Sequence, residues 1–476
     1  MGSDEKRGSY GAHILAVPYP SQGHINPMLQ FCKRLVSKGQ RATIAITTFL
    51  SNSLKPVSDT IGIDTISDGC DESGFAQAVD ADDYLNRLVV TGSRTLDELI
   101  QKYQNSGSPI DCVVYDSFLP WAAEVAKKYD GLYTASFFTQ ACSVTYVYYA
   151  VNHGMLPVPV TSTPVRIPGL LPLELPDMPS FIYQYGSRPA YFKLLMQQFL
   201  NLEKADFVLI NSFLSLEAEV VEAMSKTTRF LTIGPTIPSL YLDNRVENDS
   251  DYGLNLFPLD PSTSCVDWLN TKPEGSVIYV SFGSMADLDE KQMDELAWGL
   301  KNSNVPFLWV VRRSEESKLP KGFIDGETVV ARGGADQAAA SGLVVNWCPQ
   351  LKVLANKAVG CFFTHGGWNS TIEALSIGVP MVVMPQWTDQ TMNAKLVVDM
   401  WKVGRRVRVG EDGLVSREEV EDCVREVLDE VKGKKMKENA VKWSRLAKEA
   451  VSEGGSSDQV IDQFLSALAT TSSSIA

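Results

Sequence analysis

Along almost its whole length this chain alternates short, continuous apolar runs with segments of helical periodicity, and that alternation leaves few folds open. "HILAVPY" is followed by "PMLQFCKRLVSKG", whose apolar residues fall on one helical face and whose Gly39 suits a helix C-cap. "RATIAIT" comes next, and "DCVVYD", "LYTASFF", "FVLINS" and "FLTIGP" continue the series with helical patterns between most of them. Unbroken runs of this kind belong to strands buried on both faces, with the intervening helices as cover. A parallel sheet is predicted.

The alternation lapses across residues 238–265, "PSLYLDNRVENDSDYGLNLFPLDPSTSC", where Asp, Asn, Pro and Ser dominate. It restarts with "SVIYVSFGS", "FLWVVR", "GLVVNW", "GCFFTH", "VPMVVMP" and "RRVRV" as strands. The 476 residues also exceed what one core usually holds. The expected fold class is therefore α/β, two tandem doubly wound Rossmann-like domains, with a crevice between them for the ligand at the C-terminal strand ends. The domains are expected over residues 1–240 and 263–455, joined by a linker over 241–262 and followed by a helix and polar, frayed tail over 456–476. Residues 326–342, "GETVVARGGADQAAASG", read as an exposed loop.

A net charge of −14 argues against nucleic acid or an anionic membrane surface as partner, so an anionic ligand must be held by local donors. The eight cysteines are scattered, with no Cys-x-x-Cys pair and no histidine at metal spacing, and read as reduced core thiols. The first residues lack an apolar core of the secretory kind, and no run reaches the length of a membrane span. A cytoplasmic monomer without integral membrane association is the expectation.

Residues 362–380, "FFTHGGWNSTIEALSIGVP", place a His, a Trp, an Asn and a Ser at one strand-to-helix join. The strand should end at about Thr364 and the helix begin near Trp368. A helix opening there presents free backbone N–H groups and the positive end of its dipole. Gly366 and Gly367 would let an anion approach the backbone, and His365, Asn369 and Ser370 can add donors, which suits a diphosphate. The alternative is an ordinary turn with Asn and Ser as caps.

The first strand runs into "PSQGHINP", which puts His24 in a loop just before a helix expected to open near Asn26, with Pro27 at its first position. A lone histidine there can equally be a capping or surface residue. A helix N-terminus disfavours a charged imidazole, however, and a general base must be neutral. "DCVVYD" ends in Asp116, and in a parallel sheet both residues project from the same rim. A carboxylate beside His24 would orient the ring and stabilise the imidazolium formed when it takes a proton.

Residues 347–390, "WCPQLKVLANKAVGCFFTHGGWNSTIEALSIGVPMVVMPQWTDQ", closely resemble the nucleotide-sugar signature of plant secondary-product UDP-glycosyltransferases, which have the two-domain GT-B fold. The resemblance implies that Trp347 stacks on uracil, Gln350 sits at the ribose and base edge, and the backbone of Cys348 touches the base. It gives Glu373 the ribose hydroxyls, and gives the diphosphate to His365, Trp368 through its backbone, Asn369, Ser370 and Ser284. Asp389 and Gln390 would hold the sugar, with Thr139 also reaching it. Gln390 would favour glucose. His24 and Asp116 would be the catalytic pair.

Gln140, Tyr148 and Thr388 complete the expected set as acceptor contacts. In the segment after Thr139, Val144, Val147, Tyr148 and Val151 recur at helical spacing as an apolar wall, with core packing as the alternative. Gly367 stands where the family commonly has Cys, and Cys348 where Ala is frequent.

The implied activity is inverting O-glucosyl transfer from UDP-glucose to a hydroxyl, or a carboxylate, of a phenolic, terpenoid or steroid. A UDP-sugar epimerase would need acid/base groups on both faces of the sugar. A non-catalytic UDP-sugar-binding protein would not need His24 and Asp116. No GxGxxG follows a strand, against a nicotinamide enzyme. The acidic clusters at Asp80 and Asp287 sit in charged, helix-like surroundings. No metal and no cofactor are expected.

Overall fold

The computed structural model describes residues 11–52, 60–253, 265–331 and 340–472. The apolar runs form two seven-stranded sheets among these residues. The first contains β1 (His13–Val17), β2 (Arg41–Thr47), β3 (Gly62–Ile66), β4 (Cys112–Asp116), β5 (Tyr133–Phe138), β6 (Phe207–Ile210) and β7 (Phe230–Thr232). Its order is β3-β2-β1-β4-β5-β6-β7, every pair parallel. The second contains β8 (Val277–Ser281), β9 (Phe307–Val310), β10 (Val329–Ala331), β11 (Gly342–Val345), β12 (Val359–Thr364), β13 (Met381–Val383) and β14 (Gly404–Arg406). It is also parallel throughout, in the order β10-β11-β9-β8-β12-β13-β14.

The central strands β1, β4 and β8 are buried at every residue, as their unbroken apolar runs demand. Successive side chains serve opposite cores: Ile14 and Ala16 join Phe31 and Phe137 on one face of the first sheet, while Leu15 and Val17 join Leu88 and Trp121 on the other. Two strands were not expected from sequence, β3 and β10, and both lie at a sheet edge. β3 is largely exposed, so "GIDTI" carries polar residues and lacks the apolar run. β10 occupies part of the stretch read as a loop, and Val329 and Val330 are buried there. Residues 332–339 of that stretch lie outside the described residues.

The chain divides into two compact units, each assembled from separated segments. One unit gathers residues 1–172, 181–256 and 447–476, the other 173–180 and 257–446. The last helix, Ser456–Ser472, explains the return to the first unit. It lays Ile461, Phe464 and Leu468 into that unit's core, with Phe464 ring centroids 6.1 Å from Phe31 and 4.9 Å from Phe207. The helix also continues through residues read as frayed tail; residues 473–476 lie outside the description, as do 254–264 of the expected linker.

The helix after β1 is Gln22–Ser37, with extended Ser21 as its N-cap. Pro27 is therefore interior, and His24 sits in the first turn rather than in a preceding loop. Proline as a helix opener misplaced this start because the residues before it carry little periodicity. Ion pairs fasten the far half of the helix: Arg34 spans both oxygens of Asp243 at 2.8 Å, Lys33 meets Asp249 at 2.8 Å, and Lys38 meets Asp458 of the last helix at 2.7 Å.

Candidate active site

In the first sheet the strand order reverses between β1 and β4, so the loops leaving their C-terminal ends diverge and leave room for a ligand. His24 follows β1, and Asp116 is the last residue of β4. The ring Nδ1 lies 2.7 Å from Asp116 Oδ2, with the Asp116 side chain fully buried and that of His24 18% exposed. The other carboxylate oxygen accepts from the Phe118 N–H at 3.0 Å, which fixes the carboxylate plane. A carboxylate only accepts, so Nδ1 carries the proton and Nε2 keeps its lone pair.

Thr139, the residue after β5, brings its hydroxyl to 3.1 Å from the same Nδ1. The rings of Tyr19 and Phe118 flank the imidazole with centroids at 5.3 and 5.0 Å. Gln140 is buried, its amide donating to Thr145 and Gln198 at 3.1 Å each. The following helix, Cys142–Asn152, is buried on every face from Cys142 to Ala150. Val144, Val147 and Tyr148 are buried, as either core packing or a closed apolar wall requires. Apolar spacing alone does not distinguish the two. The helix is seated by the buried Glu217 carboxylate, which accepts the Cys142 and Ser143 N–H groups at 2.9 and 2.8 Å.

The second sheet reverses between β8 and β12. β12 ends at Thr364 and the next helix is Trp368–Ile377, as the sequence requires. Gly366 has φ +79°, and a Cβ there would lie 2.4 Å from Val383, so the turn needs glycine. The Trp368 indole is buried near Trp401, leaving its backbone to face the turn. Burial holds the His365 imidazole down to about 4, opposed by a hydrogen bond to the Ser281 carbonyl, so the ring is a neutral donor at pH 7. A Cβ on Gly367 would lie 2.6 Å from His365 Nε2, so a larger residue there would turn the ring.

Gln350 joins several expected nucleotide contacts. It accepts from the Tyr279 hydroxyl at 3.1 Å and donates to Ser370 Oγ at 3.2 Å and Glu373 Oε2 at 2.8 Å. Cys348 is buried, its sulfur 3.3 Å from Tyr279 Oη, while Trp347 beside it is half-exposed. The Ser284 carbonyl is gripped by the Arg312 guanidinium, which also holds the Ala286 carbonyl.

Thr388 adopts φ +58°, an uncommon conformation for a β-branched residue. Ser180 holds it from both sides: the Thr388 N–H donates to Ser180 Oγ, and the Ser180 N–H to the Thr388 carbonyl, each at 2.7 Å. The Thr388 hydroxyl donates to Asp389 Oδ1 at 2.6 Å. Gln390 is 4% exposed, and its Oε1 accepts the Gln386 and Trp387 N–H groups at 2.8 and 3.0 Å. Its side-chain oxygen therefore shapes its own turn, leaving the NH2 as the group suited to a sugar oxygen.

Tyr279, Arg312, Ser180 and Asn393 surround these residues without having been read from sequence. A tyrosine inside the buried strand "VIYVS" was a usable signal, since a buried phenol seeks a polar partner. The remaining histidines have structural places. His13 is buried with Nε2 2.9 Å from Thr43 Oγ1, and His153 stacks on Tyr149 at 3.8 Å. Asp80 caps a helix by accepting the Asp83 N–H, and Asp287 pairs with Lys318.

A glycine-bearing strand-to-helix turn, a hydrogen-bonded histidine and carboxylate, and two parallel sheets are features in keeping with a glycosyltransferase of the GT-B fold. Residues 87–453 match the family described as UDP-glucoronosyl and UDP-glucosyl transferase. The chain belongs to that family, as a plant family 1 UDP-glycosyltransferase. It is 53% identical to UDP-glycosyltransferase 74F2 of Arabidopsis thaliana over 97% of this chain and 99% of the relative. Identity to flavonol 7-O-beta-glucosyltransferase UGT74F1 of the same plant is 52%, over 95% and 98%. The crystal structure of Os79 from O. sativa in complex with UDP superposes with a TM-score of 0.89, at 41% identity, over 96% of this chain and all of that one. The enzyme transfers a glycosyl group from a UDP-sugar to a small molecule.

Proposed function

We propose that the enzyme is an inverting O-glucosyltransferase using UDP-glucose. The observation that carries the mechanism is the 2.7 Å bond from His24 to fully buried Asp116, which leaves Nε2 as a base. Nε2 takes the acceptor hydroxyl proton as that oxygen bonds to the anomeric carbon, and Asp116 stabilises the imidazolium. The bond from the anomeric carbon to the phosphate oxygen breaks on the opposite face, and UDP leaves with the electron pair. An α-linked donor then gives a β-linked product, in keeping with the β-glucosyl name of the relative that is 52% identical.

The Trp368–Ile377 N-terminus with His365, Asn369, Ser370 and Ser284 stabilises charge developing on the diphosphate. Trp347, Cys348, Gln350 and Glu373 hold the nucleoside, and Thr139, Asp389 and Gln390 the glucose. Gln140, Tyr148 and Thr388 are proposed to shape the acceptor site. The acceptor is an apolar hydroxylated small molecule. A flavonol names one relative, a mogroside another, and a trichothecene is bound in one solved neighbour. No cofactor or metal takes part, and the protein acts as a cytoplasmic monomer.

The test is an acceptor screen with UDP-glucose and UDP-galactose competing in one tube, read by mass spectrometry with and without a chelator. Glucose should be consumed first, onto phenolic, terpenoid or steroid hydroxyls, with no loss to chelation. Preference for galactose, or transfer only to sugars or proteins, would refute this proposal.

A further inference from the structure

We propose that Asn393 is a positioning residue that locks the diphosphate turn and the sugar-binding carboxylate into one geometry, so that the sugar's share of donor affinity depends on it. This rests on the donor assignment above. Asn393 lies on the short helix Gln390–Lys395 and is fully buried. Its Nδ2 donates to the Gly366 carbonyl at 2.9 Å and to Asp389 Oδ2 at 2.7 Å. An amide NH2 has two protons, and each has an acceptor. The orientation follows from the partners, because a turned amide would set its oxygen against a carbonyl and a carboxylate.

Both partners are otherwise fixed. Gly366 is held in its turn by its positive φ and by Val383 at its back. Asp389 receives the Thr388 hydroxyl on its other oxygen, and Thr388 is itself clasped by Ser180. Asn393 closes this chain, so the backbone beside His365 and the carboxylate expected to meet glucose hold one relative position before the donor arrives. A carboxylate ordered in advance loses no rotamer freedom on binding. Leucine of similar size would fill the same space, but it could not supply the two donors. Oδ1 accepts no bond among the described residues, so the polar bonds this side chain makes here are those of its two donors.

The experiment is calorimetry of UDP and UDP-glucose binding to the full chain, comparing wild type, Asn393→Leu, Asp389→Ala and the double variant. Asn393→Leu should weaken UDP-glucose about tenfold while UDP stays within about threefold, and the double variant should bind no more weakly than Asp389→Ala alone. Equal loss for both ligands, or losses that multiply in the double variant, would overturn the proposal. Should Asn393→Leu not fold, Asn393→Ser keeps one donor and should show a smaller loss confined to UDP-glucose; equal loss for both ligands would again overturn it. If Asp389→Ala binds both ligands as wild type does, the sugar-site assignment itself fails, and this inference with it.

Discussion

His24→Ala removes the ring but none of the expected nucleotide contacts, so UDP affinity should stay nearly intact while turnover falls by roughly two to four decades. Steady-state turnover beside calorimetric UDP binding checks this, and retained turnover would exclude His24 as the base. Asp116→Asn should fall between wild type and that variant. Its amide can turn an oxygen to the ring only by facing its NH2 toward the Phe118 N–H, which now donates to Asp116 Oδ1. His365 gives a pH prediction of definite sign. Burial lowers its pKa from 6.5 to about 4, so acidification between those values charges the unfolded chain first and lowers stability there, with no effect above 6.5. The ring stays neutral from pH 6 to 8, and both phosphates of UDP-glucose are already ionised. Donor affinity should therefore be level over that range by calorimetry; a tenfold gain at pH 6 would show that the ring binds as a cation.

Among the elements, the last helix has the clearest structural task. Phe464 is fully buried against Phe31, which lies on the same helix as His24. Phe464→Ala should cost about 3–5 kcal/mol, read as a lower denaturation midpoint with an unchanged slope. A loss under about 1 kcal/mol would mean that the helix is not integral to that core. The elements also explain what the sequence made legible. Central strands must be apolar at every residue and so announce themselves, whereas the edge strands "GIDTI" and "VVA" need only backbone pairing and short burial. The turn at His365–Ser370 was legible because its glycines and donors are contiguous. Asn393, Arg312 and Ser180 were not, because the bonds Asn393–Gly366, Arg312–Ser284 and Ser180–Thr388 span 27, 28 and 208 residues, and the one local bond, from Asn393 to Asp389 four residues before it, has no distinctive pattern of its own.

For the whole molecule, tandem sheets follow from the alternation, but the division of the chain depends on which core takes the final apolar stripe. "VIDQFLSAL" is amphipathic wherever it docks, and its spacing gives no address. Its packing against β6 and the helix after β1 means that one unit is written in three separated pieces around nearly all of the other. On a ribosome, the segments are delivered in that order. Residues 257–446 can be complete and folded while the unit begun before them still exposes the apolar bed that Ile461, Phe464 and Leu468 will fill. The first sheet to be synthesised is thus the last to close, and until then its open core is the surface a chaperone would have to guard.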